Sequence, residues 1–248
     1  MRKFVFSMIT MVGLLLSPAV NALTITNETL NYQVVYHWGV VWKHAADATL
    51  HTTKSANGYS SRLTGKTRSW ADKVYTVRDT LKCTMNNSFR PIKYEKITHE
   101  NSYFAHDIVD FTNYAASTTA QCTRYRKNKP TVNLNLSANG IAYDMLSVFF
   151  MLRNIDFDKM KTHNVYSSWI FSGKQKEILT IKYVGIEQLQ LRDKSRHQAF
   201  HIKLKFTQDN GKKSSDDIDA YISTTAQRIP LMVVGKLPIG EIKCYYAK

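Results

Sequence analysis

Apolar and polar residues alternate with a period of two along most of this chain, and that pattern constrains the fold more than any other feature. Leu30, Tyr32, Val34, Tyr36 and Trp38 alternate with polar or small residues over nine positions. Val132, Leu134 and Leu136 alternate with Thr131, Asn133 and Asn135, and Phe200, Ile202, Leu204 and Phe206 with His201, Lys203 and Lys205. Successive side chains of a strand point to opposite faces, so each run reads as a strand with one face in a core. Shorter strand readings cover Ile178 to Tyr183, Ile218 to Ile222, Leu231 to Val234 and Ile239 to Tyr246. Asn57-Gly58, Asn139-Gly140, Ser172-Gly173 and Asn210-Gly211 supply turn chemistry between them. About ten to thirteen consecutive strands predict a mainly β protein, an antiparallel meander curled into a barrel or half-barrel.

One segment breaks the alternation. Asp144 to Arg153 (DMLSVFFMLR) is rich in Met, Leu and Phe, opens on an N-cap residue type, and predicts one buried helix near 144–153. A helix apolar on nearly all sides must be covered, so it is expected to plug the concave face of the sheet. No composition shift or repeat marks a boundary, and 23–248 reads as a single β-rich domain.

The first 22 residues have the layout of a secretory signal peptide: basic Arg2-Lys3, an apolar run from Phe4 to Leu16, and small residues up to Ala22. The run is shorter than the roughly 20 residues a membrane span needs. Cleavage is expected after Ala22, with no Cys nearby to carry a lipid anchor, and the periplasm of a Gram-negative bacterium is the expected location. The chain carries 34 Lys and Arg against 19 Asp and Glu, a formal charge of +15. In an envelope compartment that excess suits anionic lipid, lipopolysaccharide or acidic glycan, and nucleic acid is not an expected partner. Cys83, Cys122 and Cys244 allow one disulfide or none, and the spacing selects no pairing.

The stretches YHWGVVWKHAADATL (36–50), GKTRSWADKVYTVRDTL (65–81), AYDMLSVFFMLRNIDF (142–157), IKYVGIEQL (181–189) and RIPLMVVGKLPIGEI (228–242) resemble, in order, an exported bacterial family known as domain of unknown function 3108, and its Bacteroides-type members in particular. The resemblance implies an envelope location and a mainly β fold, and no activity. The family pattern usually has Gly where this chain has Ala46 and often Cys where it has Ala199, so no role at those positions carries over.

Among polar residues, Asp79 shares strand parity with Tyr75, Val77, Leu81, Cys83 and Met85. A carboxylate in an apolar file needs a partner, and Arg153 at the end of the helix is the expected one, as a buried ion pair or as the polar floor of a ligand cavity. Tyr143 and Asp144 stand at the mouth of the helix, Asp144 as an N-cap or as a site acid. Arg124, Arg126, Lys127 and Lys129 form the densest basic cluster and are the candidate basic surface. His197 and His201 fall on a predicted strand, where i and i+4 lie about 13 Å apart, too far to share a metal. No nucleophile elbow, phosphate loop or dinucleotide fingerprint occurs. No catalytic residue, metal or cofactor is assigned. The expected function is a non-enzymatic binding or carrier module for an amphipathic or anionic envelope molecule. A structural or protein-interaction module of the envelope is the alternative, and an envelope hydrolase comes third.

Overall fold

The computed structural model describes residues 23, 25–157, 159–160, 165–215 and 217–248. The expected signal peptide, 1–22, lies outside the described residues. Among the described residues, fifteen strands form one sheet. β1 (Glu28–Trp38), β2 (Val41–Ser55), β3 (Gly58–Thr67), β4 (Arg78–Met85), β5 (Pro91–Glu100), β6 (Tyr103–Asn113), β7 (Ser117–Arg126) and β8 (Val132–Asn139) each pair antiparallel with the next, and the one-turn helix α1 (Ser69–Asp72) lies between β3 and β4. The chain then crosses to β9 (Ala142–Tyr143), parallel to β10 (Val165–Phe171). From there β11 (Lys176–Gln190), β12 (Arg196–Gln208), β13 (Ile218–Ser223), β14 (Pro230–Lys236) and β15 (Glu241–Ala247) run back antiparallel until β15 meets β1. The first and last strands thus lie side by side mid-sheet, and the edges are β8 and β9.

The sheet curls into a nearly closed barrel, as the alternation predicts, with more strands than the ten to thirteen read from it. Segment 139–142 bridges the seam. Asn139 accepts from Trp169 Nε1 (3.2 Å), while the Thr118 hydroxyl donates to Gly140 O (3.0 Å) and accepts from the Ala142 amide (3.1 Å). The β10–β11 turn also leans across. Gly173, at φ +86°, would carry a Cβ only 3.3 Å from Asp107 Cβ and Val109 Cγ2, so a side chain there would press on the inner face of β6.

The inward file of each strand fills the barrel. Tyr59, Cys83, Met85, Tyr94, Val109 and Cys122 build the core of the β1–β8 half, and Leu179, Ile181, Phe200, Ile202 and Ile222 that of the other. α2 (Ser147–Arg153) lies between the halves, with Leu146 and Phe150 packed into the first core and Val148, Met151 and Leu152 into the second. Burying each such side chain contributes about 1.5–3 kcal/mol.

Two details depart from the sequence reading. The helix begins at Ser147, because the Asp144 side chain holds a turn over 144–147 ahead of it. In β1, Val35 is fully buried and Trp38 exposed, although alternation placed Trp38 with Leu30 and Tyr32. A bulge sets Val34 opposite Ala46 but Val35 opposite His44, and Trp38 lies at the end of the strand.

Candidate functional site

Four features meet inside or at the mouth of the barrel. The first is a buried polar node where the chain enters α2. Asp144 is fully buried, and its Oδ1 accepts from the amides of Leu146 (2.7 Å) and Ser147 (2.8 Å). The Ser147 hydroxyl accepts from the Asp144 amide (2.9 Å), a reciprocal cap, and the Cys83 thiol on β4 donates to Asp144 Oδ2 (3.0 Å). Burial pushes the Asp144 carboxyl above its ordinary range, against the lowering effect of its hydrogen bonds. Burial and then the Asp144 charge push the Cys83 thiol well up, and burial does the same to the neighbouring Tyr94 hydroxyl, which makes no hydrogen bond among the described residues. The node therefore favours Cys83 as a thiol and does not generate a thiolate. Cys122 and Cys244 are pushed up to about 11 and about 12, burial being the main cause, and all three cysteines are unbridged.

The Asp144 carboxyl makes a pH prediction. Its folded pKa lies above 3.8, so the folded protein holds this proton more tightly than the unfolded chain, and the stabilisation is present in acid and lost as pH rises through the folded pKa. Asp144→Asn keeps the acceptor for both amides and has no proton to lose. In urea unfolding from about pH 4 to pH 7, wild-type stability relative to this variant is expected to fall and then level off. A difference independent of pH would show an ordinary carboxyl.

The second feature is Arg153, 2% exposed at the far end of α2, which forks onto Glu28 of β1 at 2.5 and 3.0 Å and donates to Gln227 O at 2.9 Å. This corrects the expected Asp79–Arg153 pair. Asp79 lies on the inward face but at the end of β4, half-buried, where its carboxylate accepts the His99 amide of β5 at 2.9 Å. It bonds the backbone where β4–β5 pairing stops after Thr80 and Ile97. Burial raises its pKa. Strand parity read the face correctly; it carried no information on depth along the barrel.

The third feature is the basic cluster, in which two of the four cations are half-buried on a carboxylate. Arg124 and Arg126 continue the inward file of Ala120 and Cys122, and both bond Asp107 on β6, at 3.2 and 2.8 Å. Asp107 raises the Arg126 pKa through that hydrogen bond. Lys127 and Lys129 are exposed at the β7–β8 turn, and all four basic residues line one open cleft of about 730 Å³ with Tyr103 and Phe104. The i, i+2 spacing of Arg124 and Arg126 with Cys122 was the available signal.

The fourth is an apolar cavity of about 110 Å³ beneath α2. Met145, Val148, Phe149 and Leu152 form its helix side, and Leu179, Leu204, Phe206, Ile218, Ala220, Ile222, Pro230 and Val233 its sheet side. Farther along the inward file of β14, the Cβ position of Gly235 meets nothing within 4 Å. Tyr143, buried on β9 and pushed by burial up to about 12, lines a separate cavity of about 330 Å³ with Phe89, Met151 and Tyr166.

Two further clusters could be mistaken for catalytic groups. Asp193 accepts from the Ser195 hydroxyl (2.5 Å), and that hydroxyl contacts His197 Nε2 (2.9 Å), so the carboxylate orients the serine and not the imidazole, unlike a hydrolytic triad. His201 stands between Glu187 and Asp219, each at 2.7 Å, and stacks on Tyr221. Among the described residues no group of three His, Cys, Asp or Glu is placed to hold a metal, and no helix is long and apolar enough to cross a membrane.

Comparison with known proteins supports the fold. A crystal structure described as a β-barrel-like protein of domain of unknown function DUF1849 from Brucella abortus aligns with a TM-score of 0.60 at 8% identity, over 90% of this chain and 96% of that one. No curated protein matches. The model of one family, described as protein of unknown function (DUF3108), matches residues 31–246, and the chain belongs to that family.

Proposed function

We propose that this protein is a periplasmic, non-enzymatic binding or carrier protein that takes part of an amphipathic envelope molecule into its barrel. The observation that carries the reading is the apolar cavity under α2. Most interior space in proteins is close-packed, whereas here a helix that fills the barrel leaves about 110 Å³ lined only by hydrocarbon, room for a short stretch of acyl chain. Apolar cavities of this kind stay dry and accept apolar guests. The signal-like N-terminus and the excess of positive charge support an envelope location and an anionic headgroup. A solidly filled barrel that docks a protein partner is the second reading, favoured by the packing of the first half around Tyr94 and Phe150, both fully buried.

The test is native mass spectrometry of the protein purified from its own compartment, followed by lipid extraction, alongside Ala220→Leu. Ala220 lines the cavity, and the larger side chain adds three carbons to it. A stoichiometric amphipathic adduct in the wild type, reduced about tenfold or more in Ala220→Leu with the fold retained, is the expected result. A clean apo mass would favour the interaction module.

A further inference from the structure

We propose that two adjacent turns at one end of the barrel dock it onto an anionic lipid bilayer. At the end where β1 passes to β2, the turn is Trp38-Gly39-Val40-Val41-Trp42, and beside it the β14–β15 turn is Leu237-Pro238-Ile239-Gly240. Hairpin turns ordinarily carry Gly, Asn or Asp. Here Val40 is 97% exposed, Ile239 64% and Trp38 57%. The two turns form one unit. The Tyr36 hydroxyl donates to Ile239 O (3.2 Å), and Gly240, at φ +78°, lies so close to His37 O that no side chain fits. The β3–β4 connection adds Val74, 80% exposed at the same end, and packs onto β2 through Trp70 Nε1 to His44 O (2.7 Å).

The charges around the tips select the occupant. Segments 36–44 and 236–243 contain Lys43, Lys236 and Lys243 against Glu241 alone. Glu241 is bonded by His37 (2.7 Å) and Lys243 (2.9 Å), and the nearby Asp47 by His44 and Arg68. These two carboxylates are thus paired with neighbouring cations, while Lys43 and Lys236 are exposed. Separate apolar tips ringed by lysines fit an interface in which Val and Ile enter the acyl boundary, indoles lie at headgroup level and lysines reach the phosphates. Val233 on the cavity wall and the turn at 237 are joined by β14, so docking brings the turn and the cavity's upper side to the same surface. The docking does not need an occupied cavity, and the two proposals fail separately.

The experiment is flotation of the mature protein with vesicles of phosphatidylethanolamine and phosphatidylglycerol, compared with phosphatidylcholine alone, at low and high salt. Wild type is expected to bind the anionic vesicles, to weaken with salt, and to show tryptophan quenching by brominated acyl chains that Trp38→Phe with Trp42→Phe removes. Val40→Asp with Ile239→Asp is expected to weaken binding by about tenfold or more with an unchanged thermal midpoint, since both side chains are exposed. No binding to anionic vesicles, or undiminished binding by the double variant, would overturn the proposal. So would a concentration-dependent dimer abolished by the double variant, which would make a second copy the occupant.

Discussion

Arg153→Met is expected to lose about 3–5 kcal/mol of unfolding free energy, because it strands a carboxylate and a carbonyl in the interior. Arg153 is 2% exposed, its guanidinium binds both oxygens of Glu28, and its third hydrogen bond, to Gln227 O, ties α2 to the β13–β14 turn. Three separate parts of the chain, 125 and 74 residues from Arg153, thereby meet at one side chain. The attraction within a buried pair is largely offset by its desolvation, so removing both charges should cost far less than removing one. Arg153→Met with Glu28→Leu is therefore expected to recover most of the loss, and the four proteins form a double-mutant cycle read by urea midpoints. Equal losses in the single and double variants would show that the pair contributes through packing alone.

Phe150→Ala is the second large loss, about 3–5 kcal/mol. The ring is fully buried in the β1–β8 core, stacked on Phe89 with centroids 5.9 Å apart and with the Arg153 guanidinium 5.9 Å from its centre. Its removal leaves a cavity at the middle of the barrel, where two sheet walls and a helix meet and none can collapse alone. Thermal unfolding measures it. Leu152→Ala, on the opposite face of the same helix beside the existing cavity, is expected to cost less, nearer 2 kcal/mol, because that site is already loosely packed. Equal losses at the two positions would mean the cavity is absent in solution.

Much of the fold was legible in the sequence because its two periods are local properties. Alternation over Phe200 to Phe206 marks an inward file without reference to any other strand, and the unbroken apolar run at Val148 to Leu152 marks a helix that must be covered on all sides. That the Asp144 side chain bonds the backbone ahead of the helix was legible for the same reason, although Leu146 and not Asp144 is the N-cap: its partners, the amides of Leu146 and Ser147, lie two and three residues away. Arg153 was legible as the cation of an interior ion pair, with Asp79 as its expected carboxylate.

What only the tertiary structure decided is which carboxylate that is, and everything else that depends on closure. Parity assigns a residue to a face and leaves its depth along the barrel open, so Asp79 was expected beside Arg153, whereas the strand register puts Glu28 beside the end of α2 and Asp79 at the opposite mouth. The bonds of Arg124 and Arg126 to Asp107 were not legible, because Asp107 lies 17 and 19 positions away on a neighbouring strand. The apolar cavity arises from the mismatch between one helix and four strands that no local pattern encodes. A sequence with these periods specifies strands, faces and a buried helix; closing the sheet sets the distances between them, and those distances determine ion pairs, cavities and the two exposed turns at the barrel's end.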